Sequence, residues 1–159
     1  MKSFRITPLS TDYAGRIRQT RRDDFGRAVV EQLATGYGPC RVSLRPFRIG
    51  EERRLLFSHS PFCVDNAFNQ SGPVFIHCHA VEAYSDVDRF PPEIKADPVN
   101  FPLTLIGYDH HQHMVFTALV GNQDVDALIA EALAQHPEID FLHARNAEAG
   151  CYICRIDRA

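Results

Sequence analysis

The 159-residue chain lacks any apolar run close to the roughly 20 residues that cross a bilayer, and residues 1–8 contain no signal-peptide core. It also lacks the even number of cysteines that is typical of a disulfide framework, since it has 5. A chain of this length can form a hydrophobic core without disulfide bonds. We therefore expect a cytoplasmic protein with free thiols and no membrane partner. Repeats, low-complexity tracts and linkers are also missing, which predicts a single domain over residues 1–159.

Excess positive charge is missing as well, since the formal net charge is −3. The charge is uneven, because residues 1–54 hold 12 Lys/Arg against 6 Asp/Glu. A basic surface that binds nucleic acid usually carries aromatic side chains for base stacking, and no such pattern accompanies these arginines. We expect the two oppositely charged halves to fold together, and we expect no nucleic-acid partner.

The clearest helix signal begins near Asp124 and ends before Pro137. Val125, Ile129 and Leu133 recur at helical spacing and form one apolar stripe, with polar residues on the other side. This predicts a helix over about 124–136 that packs on a sheet.

Elsewhere the pattern indicates strands and shorter helices. The predicted strands are 41–45, 53–58, 73–80, 103–106, 114–120, 139–146 and 151–157, paired mainly as hairpins. One or two short N-terminal helices are expected, at 10–20 and at 27–35. The sequence thus predicts an α+β fold that is mostly an antiparallel sheet of hairpins, including a hairpin of 41–45 with 53–58.

His77 and His79 flank Cys78 on a predicted strand, so their side chains project from one face, as a metal site requires. The alternative is that they are two polar residues on the wetter face of the strand. Because the glycine spacings and second motif of a cupin metal site are missing, we favour the alternative. His77 and His79 stay weak metal candidates, and we expect no cofactor.

Cys151 and Cys154 have the spacing of a zinc knuckle or a redox pair. Residues three apart on a strand point to opposite faces, so the two thiols should diverge. The segment Cys40–Ser43 has serine where a second pair of zinc ligands would need a cysteine. A four-cysteine zinc site is therefore not expected.

The last two strands raise a different chemistry. Pairing them across 147–150 sets Asn146 opposite Cys151 and His143 opposite Cys154. A cysteine beside a histidine can become a thiolate nucleophile. The alternative, which we favour, is a small apolar side chain packed next to a hydrogen-bonded imidazole.

Several blocks, in this order along the chain, resemble the bacterial DUF1203 family. The blocks are Gly38–Leu44, Gly50–Glu51 with Leu55–Leu56, Gly72–Ile76, His143–Ala147, Gly150–Tyr152 and Arg155–Ala159. The resemblance spans nearly the whole chain and implies a domain of unknown function with no assigned chemistry. It directs attention to Cys40, Arg41, Asn146, Cys151 and Arg155, and we add His77.

Three functional hypotheses follow. The leading one is binding of a small anionic molecule, with Arg41 and Arg155 recognising the charge and with Asn146 and Tyr152 fixing its orientation. The second is a thiol-dependent enzyme, and its candidate residues are Cys40 or Cys151 as nucleophile and His77 or His143 as base. The third is a structural or homodimerising module without a pocket.

Overall fold

The computed structural model describes residues 3–159, and within them it contains eight strands and three helices. In chain order these are β1 (Phe4–Thr7), α1 (Thr11–Thr20), β2 (Val30–Leu33), β3 (Arg53–His59), β4 (Gly72–His77), α2 (Pro92–Lys95), β5 (Leu103–Tyr108), β6 (Met114–Leu119), α3 (Val125–Gln135), β7 (Phe141–Asn146) and β8 (Tyr152–Arg158). Neighbouring strands are antiparallel in both sheets, which confirms the predicted α+β class. None of the described helices is both long and apolar enough to cross a membrane.

The larger sheet has five strands in the order β1-β8-β7-β5-β6, and α3 covers one of its faces. The predicted stripe on α3 is buried there at Val125, Ile129 and Leu133. Asp124 caps the helix, because its side chain accepts a hydrogen bond from Asp126 N at 3.2 Å. The predicted helix over 124–136 is therefore confirmed.

The smaller sheet has three strands in the order β2-β3-β4, and α1 contributes to the same core. Ser10 caps α1, since Ser10 Oγ accepts a hydrogen bond from Tyr13 N at 3.1 Å. Ala14 and Ile17 on α1 are buried with Cys40 and with residues of β3 and β4. The predicted helix over 10–20 is confirmed, and its core holds the first candidate cysteine.

The prediction of a helix over 27–35 is wrong, because residues 30–33 form strand β2. β2 pairs antiparallel with β3, with Val30 opposite Leu56 and Leu33 opposite Arg53. The adjacent β-branched residues Val29 and Val30 favour a strand, and the hydrogen bonds that β3 offers decide the outcome. The predicted helix depended on the spacing of Val29, Val30 and Leu33, which is also compatible with a short strand.

The predicted strand over 41–45 is also wrong, and with it the hairpin to 53–58, since the partners of β3 are β2 and β4. Residues 41–43 form a turn instead. Val42 and Leu44 are both buried, but Val42 belongs to the core under the smaller sheet and Leu44 to the core under the larger one. A segment that bridges two cores therefore produced the alternation expected of a strand.

Candidate functional site

Cys40 is the first residue of a hydrogen-bonded turn, and it follows the cis peptide between Gly38 and Pro39. Leu44 N donates to Cys40 O at 2.9 Å, and Cys40 N donates to Arg45 O at 3.0 Å. Inside this turn the backbone N–H groups of Val42 and Ser43 lower the pKa of the Cys40 thiol. Such N–H groups stabilise a thiolate as they do at a helix N-terminus.

The turn is fixed against an aromatic ring that also holds His77. Gly38 has φ +93°, and a Cβ there would lie 2.5 Å from Cδ2 of Phe47, so only glycine fits. The Phe47 ring packs against the His77 ring with centroids 4.6 Å apart. Gly38 and Phe47 therefore place the imidazole beside the Cys40 turn.

His77 is the last residue of β4 and pairs with Arg54 of β3. Glu52 directly precedes β3, so the carboxylate reaches the same end of the sheet. His77 Nε2 lies 3.3 Å from Glu52 Oε1, and the other carboxylate oxygen accepts a hydrogen bond from Arg48 N at 2.7 Å. Glu52 thus fixes one ring nitrogen of His77.

The electrostatics of the cluster favour a charged thiol and imidazole. Burial by itself would raise the pKa of the Cys40 thiol, but contacts with His77 and with Ser43 outweigh it and lower the pKa to about 7. Burial would lower the pKa of His77, yet the contacts with Cys40 and then Glu52 raise it. Each partner therefore stabilises the charge of the other.

Cations reinforce this preference. Arg41 is fully buried, and burial lowers the pKa of its guanidinium to about 10 while Cys151 and Cys40 oppose the shift. Arg18 Nε donates to the His77 carbonyl at 3.0 Å, and its guanidinium also lies within electrostatic reach of Cys40. A buried cation needs a nearby negative charge, and a Cys40 thiolate supplies one.

A half-open cleft of about 650 Å³ lies over the cluster. Its lining comes from the turn after Cys40, from the end of β4 and from the segment that follows: Ser43, Arg45, Pro46, Arg48, Glu52, His77, His79, Val81, Glu82, Ala83, Tyr84, Ser85 and Glu93. Cys40 has no exposed surface and contacts Ser43 and His77, so its thiol lies directly behind the cleft wall. Arg45 and Glu93 form an exposed ion pair of 3.3 Å in this lining.

The second candidate pair is not assembled as predicted. A β-bulge between Ala144 and Arg145 shifts the β7–β8 register, so Cys154 is opposite Ala144 and His143 is opposite Arg155. His143 and Cys154 therefore do not share a face, and the predicted pairing of these two residues is wrong. Cys151 is half-buried before β8, and its carbonyl accepts a hydrogen bond from Asn146 N at 2.9 Å, as the predicted pairing of those two residues requires.

The four predicted ligand-binding residues are engaged within the protein. Arg41 Nε donates to the Tyr152 carbonyl at 2.6 Å, and its Nη1 donates to the Pro39 carbonyl. Arg155 pairs with Asp157 at 2.7 Å, and the Asn146 side chain accepts from backbone N–H groups in the turn before β8. None of the four lines the 650 Å³ cleft, and the anionic-ligand hypothesis stays a prediction.

The metal hypothesis for His77 and His79 gains no further ligands. β4 ends at His77, and the two rings lie 5.3 Å apart in the same cleft. Among residues 3–159, no group of three or more His, Cys, Asp or Glu side chains has a geometry that could hold a metal ion. The His77 ring is turned toward Glu52 and Cys40 instead.

Sequence reasoning included Cys40 with His77 among its candidate nucleophile and base pairs but missed Glu52. No spacing signal connects Glu52 to His77, because their contact depends on the β3–β4 register. Ser43 was noted only as a missing zinc ligand. The Cys-x-x-Ser spacing of 40–43 was the available signal, since a tight turn can bring the hydroxyl and its N–H to the thiol.

These features define an α+β protein in which a buried cysteine lies next to a histidine and a partly buried glutamate that line a surface cleft. A family model described as "Protein of unknown function (DUF1203)" matches residues 37–158, and the chain belongs to this family. Neither the curated proteins nor the solved structures contain a significant match to the chain. The matched range includes Cys40, Glu52 and His77 and excludes β1, α1 and β2.

Proposed function

We propose that the protein is a thiol-dependent enzyme in which Cys40 is the nucleophile, His77 is its proton partner and Glu52 orients His77. The observation that supports this most strongly is the convergence of the three side chains at the wall of one cleft, with His77 Nε2 3.3 Å from Glu52 Oε1. A nucleophile, a base and a group that orients the base are the minimum set for thiol catalysis.

Each residue has a distinct task in this proposal. The Cys40 thiolate attacks an electrophilic centre that enters through the cleft, and the His77 imidazolium protonates the group that leaves. Glu52 keeps the ring in place and stabilises its positive charge. Glu52 itself stays ionised, because the Arg48 N–H and His77 outweigh the effect of its burial and lower the pKa of its carboxyl.

The surroundings of Cys40 support a resting thiolate rather than a structural thiol. Ser43, through its backbone N–H and side chain, contacts the sulfur, and Arg41 adds buried positive charge. The contrasting case in this chain is Cys154, which is also buried, and burial raises the pKa of that thiol to about 12. Burial with only Arg41 to oppose it therefore suppresses the Cys154 thiolate, whereas the contacts of Cys40 with His77 and Ser43 reverse the effect of burial.

The proposal is tested by titrating the ultraviolet absorbance of thiolates in the wild-type chain and in Cys40→Ser, and taking the difference. This readout does not require reagent access to the buried sulfur. The groups that face Cys40 and set its midpoint are His77, Ser43, Arg41 and Arg18. We expect a midpoint of about 7, with a loss of thiolate as the pH falls below it.

A midpoint near the reference value of about 8.5, or above it, would overturn the proposal. The matched control is Cys63→Ser, which removes an exposed cysteine and should leave the transition assigned to Cys40 in place. Circular dichroism of Cys40→Ser checks that its core is intact, since the residue belongs to the buried cluster under the smaller sheet.

A further inference from the structure

The burial of Cys40 limits the size of the molecules that can reach its sulfur. Cys40 has 0% of its surface exposed, whereas Cys63 is exposed and Cys78 and Cys151 are partly exposed. Ser43 and His77 separate the sulfur from the cleft. A bulky acyl or peptide group could not reach the sulfur without displacing these side chains, but a molecule of two heavy atoms needs far less room.

We propose that the electrophile is a small neutral peroxide, hydrogen peroxide in the simplest case, and that Cys40 is oxidised by it to a sulfenic acid. This inference rests on the proposed function and names its substrate class. Cys40, Ser43, His77 and Glu52 are the residues involved.

Two polar atoms next to the sulfur fit a peroxide. Ser43 Oγ and His77 Nδ1 are buried and have no hydrogen-bond partner among residues 3–159, although both residues are near enough to Cys40 to lower the pKa of its thiol. His77 as a whole is 6% exposed. A peroxide carries a donor and acceptors on adjacent oxygens, so one small molecule can satisfy the serine hydroxyl and the imidazole together.

The charge and backbone of the cluster disfavour other electrophiles. The arginines in the cleft lining are paired with carboxylates, Arg45 with Glu93 and Arg48 with Glu52, and the Glu52 carboxylate beside His77 opposes the approach of an anion such as a phosphate ester. Acyl transfer would need N–H groups aimed at a substrate oxyanion. The N–H groups of Val42 and Ser43 instead stabilise the sulfur itself, because they lower the pKa of the Cys40 thiol.

The step balances with the groups present and the peroxide. The thiolate sulfur attacks one peroxide oxygen, the S–O bond forms and the O–O bond breaks. The His77 imidazolium gives its proton to the departing hydroxide, which leaves as water. Sulfur is oxidised by two electrons, the peroxide is reduced by two, and His77 becomes neutral.

The test exposes the reduced full-length protein to substoichiometric hydrogen peroxide, traps sulfenic acid with dimedone and quantifies each cysteine peptide by mass spectrometry. We expect Cys40 to be modified at least about tenfold more than the exposed Cys63, despite its burial. His77→Asn should remove most of this difference, and His79→Asn, in the same cleft, should not. Equal or greater modification of Cys63 would overturn the inference.

Size selection gives a second readout. Cumene hydroperoxide should oxidise Cys40 at least about tenfold more slowly than hydrogen peroxide, and equal rates would contradict the argument from burial. The absorbance titration separates the two proposals. If the midpoint stays near 7 and Cys40 is not oxidised preferentially, the peroxide inference fails and the thiolate proposal stands. A midpoint near the reference value of about 8.5, or above it, refutes both proposals.

Discussion

His77 at the end of β4 and His143 in β7 are both strand histidines, with 6% and 0% of their surfaces exposed. His77 lies between Glu52 and Cys40, and those contacts raise its pKa against the effect of burial. Burial, with Arg145 and Arg155 adding to it, lowers the pKa of His143 well below the ordinary range. The pKa values of the two imidazoles therefore shift in opposite directions although both residues are buried.

The opposite pKa shifts of His77 and His143 come from their neighbouring side chains and not from how deeply each ring is buried. The His143 ring has aromatic neighbours, with Phe62, Tyr108, Phe141 and Tyr152 at centroid distances of 5.0 to 5.1 Å. Both of its nitrogens lack hydrogen-bond partners among the described residues. A buried histidine becomes chemically useful when an acid and a nucleophile share its surroundings, and only His77 meets that condition of the two.

The largest expected effect comes from Arg41, which connects the two regions by linking the Cys40 turn to Tyr152 on β8. Arg41→Met would leave the carbonyls of Pro39 and Tyr152 without their buried donor. We expect a loss of about 2 to 4 kcal/mol in the free energy of unfolding, measured by urea denaturation. Arg45→Met, at an exposed arginine in the same turn, should change it by less than about 0.5 kcal/mol. Equal losses would mean that Arg41 does not connect the regions.

The next effect tests the His77 half of the comparison. His77→Asn removes the imidazole next to Cys40, so the titration midpoint of Cys40 should rise from about 7 toward the reference value of about 8.5. The thiolate fraction at neutral pH should then fall by roughly tenfold or more. Thiolate absorbance measures the change, and His79→Asn is the matched control. An unchanged midpoint would show that His77 does not set the charge of Cys40.

The His143 half is tested by the pH dependence of stability. Because the folded-state pKa of His143 is lowered, the unfolded chain binds a proton first, and stability is lost as the pH falls below about 6.5. His143→Leu removes this loss, so the variant should gain about 1 to 2 kcal/mol over wild type at pH 5 relative to pH 7.5.

The gain at low pH is measured by urea denaturation at both pH values. His59, whose pKa burial lowers to about 4, titrates in the same window but contributes equally to both proteins. His110→Leu, at an exposed turn, serves as the control. If wild type and His143→Leu lose the same stability between the two pH values, His143 is protonated in the folded state and the contrast with His77 fails.

Most of the fold followed from local pattern. α1, α3, the β5–β6 hairpin and the β7–β8 hairpin were predicted because capping residues, apolar periodicity and turn residues agree within each segment. β2 and the turn at 41–43 could not be predicted in this way. The first is decided by hydrogen bonds to β3, and the second by burial in two separate cores.

In the site, too, the sequence indicated single residues, but it could not predict the contacts that depend on strand pairing. Cys40 and His77 were candidates because of their residue types, but their contact depends on a backbone bridge between Cys40 and Phe75. The His143–Cys154 pairing failed because a β-bulge moved the register by one residue, which sequence alternation cannot reveal. Glu52 joined the cluster only through strand pairing.

The smallest expected effect is that of Glu52, which acts on Cys40 only through His77. Glu52→Gln keeps one oxygen for Arg48 N, places its amide NH2 group toward His77 Nε2 and removes the negative charge, so the imidazolium is less stabilised and the Cys40 midpoint should rise slightly. We expect a decrease of about threefold in the thiolate fraction at neutral pH. Glu51→Gln removes an exposed carboxylate that also pairs with Arg48, and it should leave the midpoint unchanged. A shift as large as that of His77→Asn would assign Glu52 a direct contact with the thiol, and no shift would remove it from the cluster.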